Sequence, residues 1–160
     1  MVLAATPHGL AGLWFDDQRH LPAQLRAQAS PLCVWPTDPA HPVLKQTVQQ
    51  LSAYFMGQRT PFDVPLDLTC GSAFQQSVWR ALLAIPLGST VSYGHISRCI
   101  GQPTAARAVG AAVGRNPISV IVPCHRVVGA DGALTGYAGG LNRKTALLGL
   151  EGAPQPKELL

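Results

Sequence analysis

Long apolar runs are missing from this sequence of 160 residues, although 47% of it is hydrophobic. No stretch approaches the roughly 18 consecutive apolar residues that cross a bilayer. The apolar content therefore belongs to a buried core, which a chain of this length builds without a disulfide or metal staple. The segment after Met1, VLAATPHG, has neither the basic flank nor the long apolar centre of a secretion signal, which points to the cytoplasm and not to a membrane. Paired cysteines are missing too. Cys33, Cys70, Cys99 and Cys124 form no C-x-x-C, and no second Cys/His pair stands at ligand spacing, which argues against a disulfide framework and against a metal. There is no internal repeat and no low-complexity segment.

Acids are scarce in one half only. Residues 1–69 carry four basic and five acidic side chains, whereas residues 70–151 carry seven basic residues and only Asp131 and Glu151 as acids. The formal charge of +4 is therefore concentrated in the second half. Such a surface suits a polyanion such as nucleic acid, and it also serves simply to keep a protein soluble.

The punctuation of the chain predicts mixed α/β architecture in two parts. VLAAT, Pro7-His8-Gly9 and LAGLWF read as two strands and a turn. HPVLKQTVQQLSAYFMGQ reads as a helix whose stripe is Leu44, Val48, Leu51 and Phe55, and FDVPLDLT as a further extended segment. A boundary near Thr69 separates residues 1–69 from 70–151. Beyond it CGSAFQQSVWRALLAIP predicts a helix with Ser72 as N-cap, Pro86 as stop and a core stripe of Phe74, Val78, Leu82 and Leu83. Two short helices, SYGHISRCIG and PTAARAVGAAVG, meet around Gly101-Gln102, with Pro103 expected in the first helical turn of the second. ISVIV reads as a buried extended run into Cys124. A turn at Ala130-Asp131-Gly132, a loop TGYAGG, a helix from about Leu141 to Glu151 and a tail over 152–160 expected to lack order complete the chain.

Two helices joined by a glycine turn in a basic segment suggest a helix-turn-helix, although a plain αα-hairpin gives the same pattern. In the second helix Ala105, Ala106, Ala108, Ala111 and Ala112 surround a single long cation, Arg107. Small side chains permit close approach to a groove, and they equally suit a face packed on another helix. IVPCHRVVG then places Cys124 beside His125. A cysteine after an apolar run is commonly an inert packing residue, and neighbouring side chains on an extended segment face opposite ways, so His125 reaches the thiol only through a turn or a water. The single carboxylate of the last helix, Glu151, supplies the third member of a Cys-His-Glu set, in which an acid orients the base that deprotonates the thiol.

The run from Phe74 to Glu151, with PCHRV, RAVGAA, RNP and GYAGG at these spacings, closely resembles the O6-alkylguanine-DNA alkyltransferases. LAAT, GLAGLWF and LSAYF extend the likeness more loosely into residues 1–69. The resemblance implies a small ribonuclease-H-like amino-terminal α/β domain and a helical carboxy-terminal domain with a minor-groove helix-turn-helix. It also implies stoichiometric transfer of an alkyl group from O6-alkylguanine, and less readily O4-alkylthymine, in double-stranded DNA to the protein's own cysteine, without a cofactor and as a monomer. By position, Cys124 matches the alkyl acceptor, His125 the base acting through a water, and Glu151 its orienting acid. Tyr93 matches the tyrosine that donates to the guanine and helps rotate its phosphate, and Arg107 the finger that fills the hole left by the extruded base. Asn116 matches the hinge asparagine and Tyr137 a wall of the base pocket. The backbone of Cys124 and Val127 would read the base edge, and Ala105, Ala106 and Arg115 fall on the DNA-facing surface.

Departures from the pattern refine these expectations. Ala138 stands where some relatives carry a hydroxyl, leaving only its backbone N–H for the substrate oxygen. A strand that precedes LAAT in most relatives is expected to be missing, and Cys33, His8, His20 and His41 do not reproduce the zinc site that some relatives have. A non-catalytic lesion-binding relative is the alternative, but such proteins replace the cysteine. A Glu151→Gln change is expected to keep the fold and DNA affinity while lowering the reaction rate and the reactivity of the Cys124 thiolate near neutral pH.

Overall fold

The computed structural model describes residues 1–22, 35–58 and 61–154. Cys33 and positions 155–160 of the tail lie outside the described residues.

Strands β1 (Val2–Thr6) and β2 (Gly9–Trp14) pair antiparallel across the turn at Pro7-His8, with an irregularity between Ala4 and Ala5. Gly9 has φ of 150°, and a Cβ there would come within 2.5 Å of the Pro65 carbonyl oxygen, so only glycine lets that segment pass. The backbone of β2 is shared with two later segments. Leu10 N–H donates to Pro65 O at 2.8 Å and Asp67 N–H to Leu10 O at 2.8 Å, while Leu13 N–H donates to Pro117 O and Ser119 N–H to Leu13 O, each at 2.9 Å. FDVPLDLT is thus extended against β2, but it forms a single parallel bridge, Leu66 to Leu10, and no regular strand. The second pair of bonds matters more, because residues 117–119 open the loop that carries Cys124.

Helix α1 (Pro42–Phe55) lies where its periodicity predicts, with Pro42 in the first turn and His41 Nδ1 accepting from Val43 N–H. Its buried face differs from the expected stripe. Thr47, Leu51 and Tyr54 are buried while Val48 and Phe55 are exposed. Thr47 tolerates burial because its hydroxyl donates to Val43 O at 2.7 Å, and this rotation turns Tyr54 into the protein. Helix α2 (Ala73–Leu83) begins at Ser72 in a reciprocal cap with Gln75, as predicted, and buries Val78, Trp79 and Leu82, leaving Leu83 exposed.

Helices α3 (Tyr93–Cys99) and α4 (Ala106–Gly114) are joined at Gly101, whose φ is +73°. Pro103 lies in the turn ahead of α4, not in its first turn as expected, and Ala105 is the N-cap. Trp79 Nε1–H donates to Ala112 O at 2.9 Å and fixes α4 on α2. A short parallel pairing, β3 (Val91–Ser92) with β4 (Val127–Val128), sets the start of α3 beside the cysteine loop. Helix α5 (Leu141–Leu150) ends on Glu151 as its C-cap. ISVIV is not extended: Ile118 makes one bridge, to Leu13, and the rest is tightly turned. No helix among the described residues is long and apolar enough to cross a membrane.

A Cβ added at Gly101 would meet no atom within 4 Å. Gly101→Ala therefore isolates the backbone cost of the left-handed turn, expected at about 1 kcal/mol in urea denaturation. No loss of stability would contradict this account of the α3–α4 turn.

Candidate active site

Asn116, just past α4, organises the cysteine loop with one side chain. Its Oδ1 accepts from Ile118 N–H at 3.0 Å, while its Nδ2 donates to Val122 O at 2.8 Å and to Cys124 Sγ at 3.0 Å. The loop between is wound tightly. Val120 has φ of +71°, unusual for a β-branched residue, and the Ile121 N–H donates to Ser119 O at 2.8 Å across it. Burial of Ile118, Val120 and Val122 holds this conformation in place. A second tight turn, Cys124 N–H to Val122 O at 2.8 Å, leads into a 3-10 turn over Cys124–Arg126. Successive side chains in such a turn diverge by about 120°, so Cys124 and His125 do not face opposite ways as they would on a strand.

Glu151 is the hub of the site. Its Oε1 lies 2.8 Å from His125 Nε2 and accepts from Tyr54 Oη at 2.7 Å and Arg126 Nη2 at 3.0 Å, while Oε2 accepts from Arg126 Nε at 2.8 Å. Burial alone would raise its pKa, but the bonds from His125 and Arg126 outweigh burial and hold it at about 2. Glu151 is therefore a carboxylate at neutral pH and only accepts. Burial pushes His125 below its ordinary value against the pull of Glu151, which keeps the ring neutral. The Nε2–H must then point at Glu151, and Nδ1 carries the lone pair. That Nδ1 is buried with no hydrogen-bond partner among the described residues.

Cys124 is itself buried, and burial pushes its thiol above the ordinary cysteine range against the opposing Asn116 bond and Lys144 charge. At rest it is a thiol that needs a base. Lys144, fully buried on α5, donates from Nζ to Val127 O at 2.6 Å and Thr135 O at 2.9 Å. Burial lowers its pKa to about 8, and among the described residues no carboxylate pairs with it. Its positive charge and the sulfur attract each other, so a Cys124 thiolate supplies the missing counter-charge.

A cavity of about 260 Å³ is bounded by Tyr93, Tyr137 and Ala138, by Gly110 and Gly114 of α4, and by Arg19 and His20 from beyond β2. Tyr93 Oη accepts from Thr135 Oγ1 at 3.0 Å. The Tyr137 hydroxyl is buried and, like His125 Nδ1, has no hydrogen-bond partner of good geometry among the described residues, and Gly139 permits its ring and that of Phe15 to close in, since a Cβ there would lie 2.8 Å from both. Ala138 O accepts from Arg19 N–H at 3.0 Å. Val127 contributes backbone, its N–H bonded to Cys124 O and its carbonyl to Lys144.

The alanines of the second helix serve two purposes. Ala112 is buried against α2, whereas Arg107, Ala108 and Ala111 are exposed and Ala105 and Ala106 half-buried. Arg115 is exposed and lines a different cavity, of about 380 Å³, with Asp67, Cys70 and Asn116. The structure thus joins Cys124 to Asn116 and, on the next residue, His125 to Glu151, and sets Tyr93, Tyr137 and Ala138 around one cavity, with Arg107 on an outer face and Arg115 apart. Three residues of the network carried no role at the sequence level: Arg126, Lys144 and Tyr54. Arg126 stands inside the PCHRV motif, but a buried arginine and a buried lysine have no periodic signature, and Tyr54 is visible only once the face of α1 is known. Among the described residues no three His, Cys, Asp or Glu side chains cluster to hold a metal ion.

A buried thiol followed in sequence by a carboxylate-bound histidine, on a loop anchored to a helix-turn-helix, fits a nucleophilic-cysteine protein of the DNA-binding class. Comparison with known proteins agrees. The family model for the 6-O-methylguanine DNA methyltransferase ribonuclease-like domain matches residues 1–68, and that for the DNA binding domain of the same family matches residues 73–153. The chain is 59% identical over 125 residues to the methylated-DNA–protein-cysteine methyltransferase of Mycobacterium bovis, covering 78% of this chain and 74% of the relative. It is 50% identical over 151 residues to that of Mycobacterium leprae, covering 94% and 85%. The crystal structure of Mycobacterium tuberculosis OGT in complex with DNA superposes with a TM-score of 0.80 at 52% identity, over 95% of this chain and 87% of that one. The chain belongs to the methylated-DNA–protein-cysteine methyltransferase family.

The Arg126 fork sets a cost against the expectation that Glu151→Gln keeps the fold, because a buried guanidinium would lose its counter-charge. The variant is expected to lose about 3 kcal/mol in urea denaturation, and adding Arg126→Met is expected to restore much of it. In the unaltered protein the depressed Glu151 pKa contributes stability that is fully present above its ordinary value of 4.5 and is lost as pH falls toward 2. Equal stability of the Gln variant and the parent would contradict the hub.

Proposed function

We propose that this chain repairs alkylated DNA by direct reversal, transferring the alkyl group of O6-alkylguanine, and less readily O4-alkylthymine, from double-stranded DNA to Cys124, once per molecule. The observation that carries the reading is the contact of His125 Nε2 with the Glu151 carboxylate: with Nε2–H committed there, Nδ1 is the base available to the neighbouring thiol. Residues 70–151 would hold the DNA and accept the alkyl group, and residues 1–69 would brace the cysteine loop through β2. The protein would act as a cytoplasmic monomer without a cofactor.

In this mechanism α4 lies in the minor groove and Arg107 occupies the space of the extruded nucleotide, offsetting the few kcal/mol of unstacking. The base enters beside Tyr93 and Tyr137. The Cys124 proton passes through a water to His125 Nδ1, and Lys144 and Asn116 stabilise the thiolate. The sulfur attacks the alkyl carbon in line with the C–O6 bond. The S–C bond forms as C–O6 breaks, and the leaving guanine takes a proton from the Tyr93 hydroxyl, which regains one from the imidazolium through solvent. The thiol hydrogen is thereby exchanged for the alkyl group, and the thioether has no partner in the site able to cleave it.

Mixing the protein with excess O6-methylguanine duplex is expected to add one methyl mass per chain, mapped to Cys124 and not to Cys70 or Cys99. Cys124→Ser is expected to bind the lesion and gain no methyl, since an alcohol is far less ionised than a thiol at neutral pH. Several turnovers per chain, or methylation elsewhere, would overturn the mechanism, and lesion binding by the unaltered chain without mass gain would make it a recognition protein instead. Arg107→Ala is expected to slow repair of duplex DNA far more than reaction with free O6-benzylguanine, and equal losses would remove Arg107 from base extrusion.

A further inference from the structure

Among the described residues Tyr54 is the one member of the Glu151 network that comes from the first half of the chain. It lies on α1, 97 residues from the carboxylate it touches, is buried, and places its Oη 2.7 Å from Glu151 Oε1. Its ring is held edge-on by Phe55, centroids 5.3 Å apart, and against Phe62 at 5.4 Å, so the hydroxyl has a fixed direction. Packing alone would be met by phenylalanine. A phenol here donates to the same oxygen that receives His125 Nε2 and Arg126 Nη2.

We infer that Tyr54 is a positioning residue for alkyl transfer, whose hydroxyl draws charge from Glu151 Oε1 and thereby sets the basicity of His125. The inference rests on the proposed relay from Cys124 to His125. Glu151 sits at the C-terminus of α5, where the helix dipole disfavours negative charge, so its donors decide where that charge lies. A carboxylate that accepts strongly from a phenol holds an imidazolium less tightly. Tyr54 thus keeps His125 neutral enough to accept a proton near neutral pH. Among the described residues the groups that act on His125 and Glu151 are Tyr54 from α1, Arg126 from the 3-10 turn and Lys144 from α5, with Tyr137 beside Cys124 and Tyr54. Of these, the positive charges of Arg126 and Lys144 oppose protonation of His125. Removing the phenol donor shifts the balance toward the imidazolium.

The test is the single-turnover rate of Cys124 alkylation by free O6-benzylguanine, which needs no base extrusion, followed from about pH 5 to about pH 9 by intact mass. The unaltered protein is expected to show an acid limb that reports His125. In Tyr54→Phe its midpoint is expected to move up by about half a pH unit, a roughly threefold loss of rate below the midpoint, with little change on the plateau. Placing 3,5-difluorotyrosine at position 54, a stronger donor of nearly the same shape, is expected to move the midpoint the other way. A Tyr54→Phe protein with lowered thermal stability and an unmoved midpoint, or fluorinated protein with the parent profile, would reduce Tyr54 to a packing residue and overturn the inference. Failure of the unaltered protein to alkylate Cys124 at any pH would overturn the underlying relay instead, and the inference with it.

Discussion

A single buried carboxylate holds this site together. Glu151 closes α5, yet the groups that satisfy it come from α1 and from the 3-10 turn that carries the cysteine. Buried charge is costly unless every lone pair is used, and here four contacts on two oxygens meet that demand. The result is more than a neutralised charge. Because the carboxylate can only accept, it dictates which nitrogen of His125 carries the proton, and so which nitrogen is free to take one. The reactive state of the cysteine is set by that choice, since the thiol itself is buried and protonated at rest.

The second constraint is the loop between Asn116 and Cys124, which joins α3 and α4 to the cysteine. Asn116 bonds both ends of it, β2 braces it through Leu13, and Val120 is held in a left-handed conformation between them. Such a loop has little freedom to move by degrees. Asn116, two residues past the end of α4, and the sulfur are one hydrogen bond apart, 3.0 Å, so the orientation of the helix-turn-helix and that of the thiol are mechanically linked. Lys144, a cation with no carboxylate partner among the described residues, completes the arrangement by favouring negative charge on sulfur once the proton is gone.

Much of this was legible in the chain, and the failures have identifiable causes. Ser72 and the Val78–Leu82 pair marked α2 correctly because capping and helical spacing agreed there. In α1 two stripes overlapped. Val48 and Phe55 are the more apolar choice, but Thr47 hides its hydroxyl inside the helix and Tyr54 hides its own on Glu151, so hydropathy selected the wrong face. ISVIV was misleading for a related reason: an apolar run with no visible turn residue looks like a strand, and the Asn116 side chain that replaces a strand's hydrogen bonds lies outside the run. The Cys-His-Glu set was visible as residue types and spacing. Arg126, Lys144 and Tyr54, which determine the charge state of that set, were not, because a buried polar residue is marked by its partner and not by its neighbours in sequence.

The central claim, that Glu151 fixes the tautomer of His125 and leaves Nδ1 as the base, is open to direct measurement by nitrogen-15 NMR of the imidazole ring in the unaltered protein. At neutral pH the account predicts a neutral ring with the proton on Nε2, a long-range coupling pattern in which Nδ1 is unprotonated, and loss of that pattern on alkylation of Cys124 only if the site rearranges. A ring protonated on Nδ1, or doubly protonated at neutral pH, would contradict it.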